Sequence, residues 1–94
     1  MLDTRHFRSL IAIAESGKIT DAARRVHLSQ SALSHQIKAI ESHYGISLFD
    51  RSRGGLSCTP AGERFLQLAR DVMNQINDAE RDVSAAAGFL LGVA

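Results

Sequence analysis

The feature that most limits how this 94-residue chain can fold lies near its end. Phe65, Ala69, Val72, Ile76, Ala79, Val83, Ala86 and Leu90 follow one another at steps of 4 and 3 residues, and all are apolar. Arg70, Asp71, Asn74, Gln75, Asp78, Glu80, Arg81 and Asp82 lie between them. An apolar stripe sustained for this long predicts one long helix with a narrow seam. A small body cannot cover such a seam along its whole length, so the pattern predicts a second helix against it, the same helix of another copy. Small alanines at 69, 79 and 86 would let the two axes come close. The alternative is that only the first turns pack on the body and the rest projects as a tail. Thr59-Pro60 marks the start of this helix: Thr is a good N-cap, and Pro suits the first helical position, where no amide donor is needed.

Upstream, two further segments have the helical period. Phe7, Leu10, Ile11 and Ala14 form a stripe that Asp3 or Thr4 can cap and that Gly17 can close with a positive φ. Leu33, Ile37, Ile40 and Tyr44 form another, capped by Ser29 and closed at Gly45. Between them Thr20 is the expected N-cap of a short helix, with Ala22, Ala23 and Val26 inward and Arg24 and Arg25 outward. After Gly45, "ISLFDRS" and "LSCT" flank "RGG", which reads as a hairpin with Arg51 and Arg53 near its tip. Cys58 is expected to face inward beside Leu56 as a small apolar residue.

The helix over residues 30–44 raises the functional question. Opposite its apolar stripe lie Ser31, Ser34, His35 and Lys38, all polar and mostly short. A short helix, a tight turn and a second helix with a polar outer face make a helix-turn-helix, and the hairpin makes it winged. The fold class expected is therefore mainly α: a winged helix-turn-helix with a two-stranded hairpin wing and a long C-terminal dimerisation helix. Residues 1–59 would form the DNA-binding domain and 60–94 the dimerisation helix, which the resemblance given below makes a linker. Short side chains at Ser31, Ala32 and Ser34 allow close approach to a major groove about 12 Å wide, and Gln30 can pair with an adenine edge. Lys38, Arg24 and Arg25 can reach phosphates, and Arg53 can lie along a minor groove. Charge agrees with this division. Up to Pro60 eight Lys or Arg face five Asp or Glu, whereas after it three face five. Each residue also has a plainer reading, as a solvated helix position or an ordinary surface charge.

Other classes fare worse. Ser34 and His35 are sequence neighbours whose side chains diverge by about 100° on a helix, and no nucleophile–base set is visible, so no enzyme is expected. His35 and His43 lie about 12 Å apart along the helix and about 80° around it, with no cysteine pair, so no metal site is expected. No run of 18 apolar residues and no secretory leader is visible, which favours a cytoplasmic protein. The serious rival is a helical adaptor that binds protein. It would explain the heptads but not the clustering of basic residues with the short polar face.

"DAARRVHLSQSALSHQIKAIESHYGISLFDRS" followed by "TPAGERFL" resembles the N-terminal DNA-binding domain of LysR-type transcriptional regulators. The resemblance runs from "RHFRSLIAIAESGKITDAA" through the last helix, and "SALSHQ" is similar to the methionine-biosynthesis regulators of that family. It implies a winged helix-turn-helix dimer paired through antiparallel linker helices, a tetramer at full length, and double-stranded DNA as partner, read as an interrupted palindrome with a T-to-A core. It implies base contacts from Gln30, Ser31 and Ser34, and backbone or groove contacts from Thr20, His35, Lys38 and Arg53. His35 stands where the family frequently has Arg. Arg51 holds the family's "LF-x-R" position and ranks below Arg53, with Glu41 as its candidate partner. The metabolite-sensing domain of the family is expected to be absent from these residues, so no cofactor and no ligand pocket is expected in them.

Overall fold

The structure is a computed structural model that describes residues 1–52 and 54–90, with side chains to residue 87 in the last helix. Its elements run α1 (Thr4–Ser16), α2 (Ile19–Arg25), α3 (Gln30–Tyr44), β1 (Phe49–Asp50), β2 (Ser57–Cys58) and α4 (Pro60–Leu90). The architecture is the mainly helical, winged arrangement that the periodicity implies.

Local chemistry sets the helix ends. Asp3 caps α1 by accepting the amides of Arg5 and His6, while Nδ1 of His6 accepts the Asp3 amide at 3.0 Å, a reciprocal capping box. The Arg5 guanidinium grips the same carboxylate at 2.8 Å and holds its pKa well below the usual carboxylate range. Gly17 ends α1 at φ 71°, and Gly45 ends α3 at φ 67°. Ser29 caps α3 by accepting the Ala32 amide at 3.1 Å. Thr59 caps α4 by accepting the Gly62 amide at 3.1 Å, and its hydroxyl donates to the Ser47 carbonyl. Thr20 does not cap α2. That helix starts earlier, from Lys18, with no side-chain cap, and Thr20 lies inside its first turn. Gly17 closes α1 so abruptly that α2 begins two residues later.

The core gathers one face from each of the first three helices. Leu10 and Ile13 of α1, Ala22 and Ala23 of α2, and Leu33, Ile37 and Ile40 of α3 are buried together with Leu48. The small alanines of α2 let it sit close to both neighbours. The turn between α2 and α3 is tight: the Leu28 amide donates to the Ala23 carbonyl at 3.0 Å, and His27 takes φ 58°, a left-handed conformation uncommon outside glycine.

The wing is shorter than the flanking sequence runs suggest. Among the described residues only Phe49 pairs with Cys58 and Asp50 with Ser57, antiparallel. The preceding residues are taken up by the body: Leu48 has no exposed surface, and Ile46 packs against the core. Cys58 is half-buried, as expected of a small apolar residue, and burial pushes its thiol pKa up.

The long helix divides the predicted seam in two. α4 makes its most extensive contact with α1, and Leu66 and Ala69 are buried on the body. Ala69, with 0% exposure, and Phe65, packed against the core, are therefore consumed by the chain's own fold and have little to offer a second copy. Val72 and Ile76 are half-buried. Beyond them Ala79, Val83 and Ala86 are exposed, Val83 by 68%, and the molecule measures 55 × 23 × 21 Å because this half projects. The side chain of Leu90 lies outside the described residues.

Gly62 lies where α4 meets the segment before the wing. A Cβ there would collide with the Leu48 backbone carbonyl, which has no room to yield. Gly62→Ala should therefore cost about 1–3 kcal/mol in urea denaturation. Gly55→Ala, where a Cβ meets nothing within 4 Å, serves as the control and should leave the midpoint nearly unchanged.

Candidate nucleic-acid interface

Burial of Leu33, Ile37 and Ile40 decides which way the other face of α3 points. Gln30, Ser31, His35 and Lys38 are exposed, and Ser34 is half-buried at the inner edge of the same face. Gln30, Ser34 and Lys38 are spaced by four, so they stack along one line parallel to the axis.

Two adjoining concave surfaces border that line on its wing side, both lined in part by Ile19, Arg51 and Leu56. One cavity of about 430 Å³ brings Lys18 and Thr20 of the α2 start to Gln30, with Arg51 and Gly54-Gly55 of the wing opposite. A second, of about 270 Å³, lies between α3 and the wing and joins Ser34 and Lys38 to Arg51. Thr20, Gln30, Ser34 and Lys38, separate in sequence, thus share one surface.

The two arginines of α2 do not share it equally. Arg24 is exposed with only a long contact to Asp21, at 3.9 Å. Arg25 pairs with Glu15 of α1 at 3.0 Å and lines a cleft against α1 instead, so it does not join the polar face of α3. Arg53 lies outside the described residues.

Glu41 holds the wing rather than Arg51. Its Oε2 accepts the Leu48 amide at 2.7 Å, tying the last turns of α3 to the segment that enters β1. Asp50 accepts the Ser52 amide at 2.9 Å and so shapes the start of the wing tip, a contact that lowers its own pKa. Arg51 is left exposed at the mouth of both basic cavities.

Comparison with known proteins gives this surface a context. Residues 4–63 match the family model described as bacterial regulatory helix-turn-helix protein, lysR family. The chain belongs to the lysR family. It is 51% identical over 83 residues to the HTH-type transcriptional regulator MetR of Haemophilus influenzae, covering 88% of this chain and 27% of that protein. It is 42% identical over 86 residues to the HTH-type transcriptional regulator TfdS of Cupriavidus pinatubonensis, covering 92% of this chain and 29% of that protein. The chain thus spans under a third of the length of these relatives. Among solved structures it is similar to a CbnR DBD–DNA complex, with TM-score 0.77 and 35% identity over 92% of this chain and 99% of that one. It is also similar to a complex of the BenM DBD with catB site 1 DNA, with TM-score 0.82 and 29% identity over 92% of this chain and 97% of that one.

Sequence reasoning did not bring Lys18 to this surface and ranked Arg51 below Arg53, which lies outside the described residues. Lys18 was hidden by the assignment of Thr20 as the cap. Its signal is the residue directly after a helix-ending glycine, where the chain has already turned towards the next helix. Arg51 was hidden by its expected pairing with Glu41, whose carboxylate is instead taken by a backbone amide.

That amide contact is separable from charge. Glu41→Ala should leave the Leu48 amide without its acceptor and cost about 1–3 kcal/mol in thermal or urea unfolding. Glu41→Gln, which keeps an acceptor oxygen, should recover most of that loss.

Proposed function

We propose that this chain reads DNA sequence as the winged helix-turn-helix part of a lysR-type transcriptional regulator. The observation that carries the reading is the outward polar face of α3, bordered on its wing side by two adjoining cavities lined by Lys18, Lys38 and Arg51. In this reading α3 enters the major groove and the wing lies near the adjacent minor groove. Gln30, Ser31 and Ser34 meet base edges. Thr20, Lys18, His35, Lys38, Arg51 and Arg53 meet the backbone or groove walls, with Arg24 at the margin. Arg25 is withdrawn from the set because its guanidinium serves Glu15. The similar CbnR and BenM structures are themselves DNA complexes, which supports the partner.

A homodimer joined through the exposed half of α4 would present two such faces to half-sites related by two-fold symmetry, the geometry that an interrupted palindrome requires. The dimer contact is assigned to Val72, Ile76, Ala79, Val83 and Ala86, the part of the stripe that the body leaves partly or wholly open. The relatives' greater length supports a full-length protein that carries a further domain, and their names support a transcriptional regulator; in this reading that protein is a cytoplasmic tetramer and not an enzyme. No described helix is long and apolar enough to cross a membrane.

Selection of bound fragments from a random DNA pool tests the reading directly: a recovered palindrome is expected, and an unenriched pool together with a flat salt response would favour the protein-binding adaptor. With six to ten phosphate contacts, affinity should fall by roughly 10³ to 10⁵ between 50 and 200 mM salt. Gln30→Ala or Ser34→Ala should cost about 1–3 kcal/mol on the selected site and little on random DNA, whereas Lys38→Ala or Arg51→Ala should weaken both and reduce the salt slope by about 1 each. Val83→Asp should convert the dimer to a monomer in sedimentation with unchanged helix content, since Val83 touches nothing that the body needs.

A further inference from the structure

The residues that form the DNA-reading domain were expected to hold no ligand pocket, yet a cavity of about 450 Å³ opens between α1 and the turn of the helix-turn-helix. Its size falls in the range of small-molecule sites, roughly 300–1,000 Å³. It does not overlap the reading face. Gln36, which it includes, projects about 160° around α3 from Lys38, so both surfaces can be occupied together.

The composition of its wall is selective. Ser9 of α1 is 1% exposed and its Oγ has no hydrogen-bond partner among the described residues. Across from it, Oε1 of Gln36 is likewise buried and unpartnered. Both line the same cavity. Buried polar atoms without partners are uncommon, and each costs stability until something bonds it. Ile11, Ala12, Val26 and Leu28 supply the apolar surface. Cationic groups dominate the rim, with Arg5, Arg8 and Arg25 against Glu15 alone. Arg5 is held by Asp3 and Arg25 by Glu15, whereas among the described residues Arg8 forms no ion pair.

We propose that this cleft is a binding site for a small carboxylate carrying a hydroxyl donor at its far end, with the carboxylate at Arg8 and the hydroxyl met by Ser9 and Gln36, whose buried polar atoms turn into the cleft to reach it. An acceptor oxygen on Gln36 calls for a donor, and the Ser9 hydroxyl can serve either role. The apolar walls select the linking carbons. The wall includes Val26, His27 and Leu28, the turn that sets the angle between α2 and α3, and His27 is held there in its left-handed conformation. Occupancy would therefore brace the joint on which the reading helix is mounted.

Titration of the ¹⁵N-labelled 94-residue chain with 6-hydroxyhexanoate, hexanoate and 6-hydroxyhexanamide tests each element, because the flexible linker lets both ends find their partners. Saturable shifts are expected at the amides of Ser9, Ala12, Leu28 and Gln36, with 6-hydroxyhexanoate bound more tightly than either analogue by about two- to five-fold. Arg8→Gln, at an exposed position, should remove the preference over the amide. Ser9→Ala should remove the preference over hexanoate. Ile11→Phe should plug the cavity and abolish the shifts while the circular dichroism spectrum is kept. Equal binding of all three probes, non-saturating shifts, or shifts confined to Lys18, Lys38 and Arg51 would overturn the proposal. Loss of these shifts would leave DNA selection by the same chain untouched, so the two readings fail separately.

Discussion

Burial of a single face of α3 governs everything else in this molecule. Leu33, Ile37 and Ile40 enter a core made by α1, α2 and Leu48, and a helix held by that face must offer the opposite one to solvent. Each large aliphatic side chain buried this way contributes about 1.5–3 kcal/mol. Rotating α3 to hide Gln30 or Lys38 would forfeit several of those contributions together. The polar face is thus presented by the hydrophobic effect acting on its opposite side, and side chains that contribute nothing to stability are free to be chosen for recognition.

The remaining contacts turn that presented face into a surface with shape. Glu41 draws Leu48 in, Leu48 anchors the entry to the wing, and Thr59 and Gly62 press the start of α4 against the same segment. Arg51 is delivered to the side of α3 by these contacts to the backbone before the wing, and among the described residues it forms no ion pair of its own. Arg25 shows the reverse case, a surface charge recruited by Glu15 to fasten α2 to α1. Two arginines that look alike in sequence therefore serve different ends because of one carboxylate on each side.

Much of the fold was legible because its signals are local. Asp3, Ser29 and Thr59-Pro60 announce helix starts, Gly17 and Gly45 announce ends, and the apolar spacing between them names the buried faces. The start of α2 differs from the sequence expectation because Thr20 has the right chemistry for a cap but the wrong neighbour: Gly17 turns the chain before Thr20 is reached. The strands were overextended because nothing in "ISLFD" says that Ile46 and Leu48 belong to the core and not to a ladder. In the candidate interface, the face of α3 follows from periodicity alone. The approach of Lys18 and Arg51 to it depends on tertiary contacts with no sequence signature. The same holds for α4, where the period identifies an apolar stripe but cannot say that Ala69 faces its own body while Val83 faces outward.

The continuity of α4 has a mechanical consequence. Thirty-one residues form one helix, about 46 Å long, seated at one end against α1 and overhanging at the other. No proline lies between Ala61 and Leu90, and the helix is continuous over that span. A small swivel imposed on the overhanging end is therefore passed to the seat nearly undiminished, and displacement at the far tip is magnified by the lever ratio. The spacing and relative twist of two reading heads joined through such shafts would be set by how the shafts cross, so a change of a few degrees at the crossing suffices to bring the heads into or out of phase with a double helix.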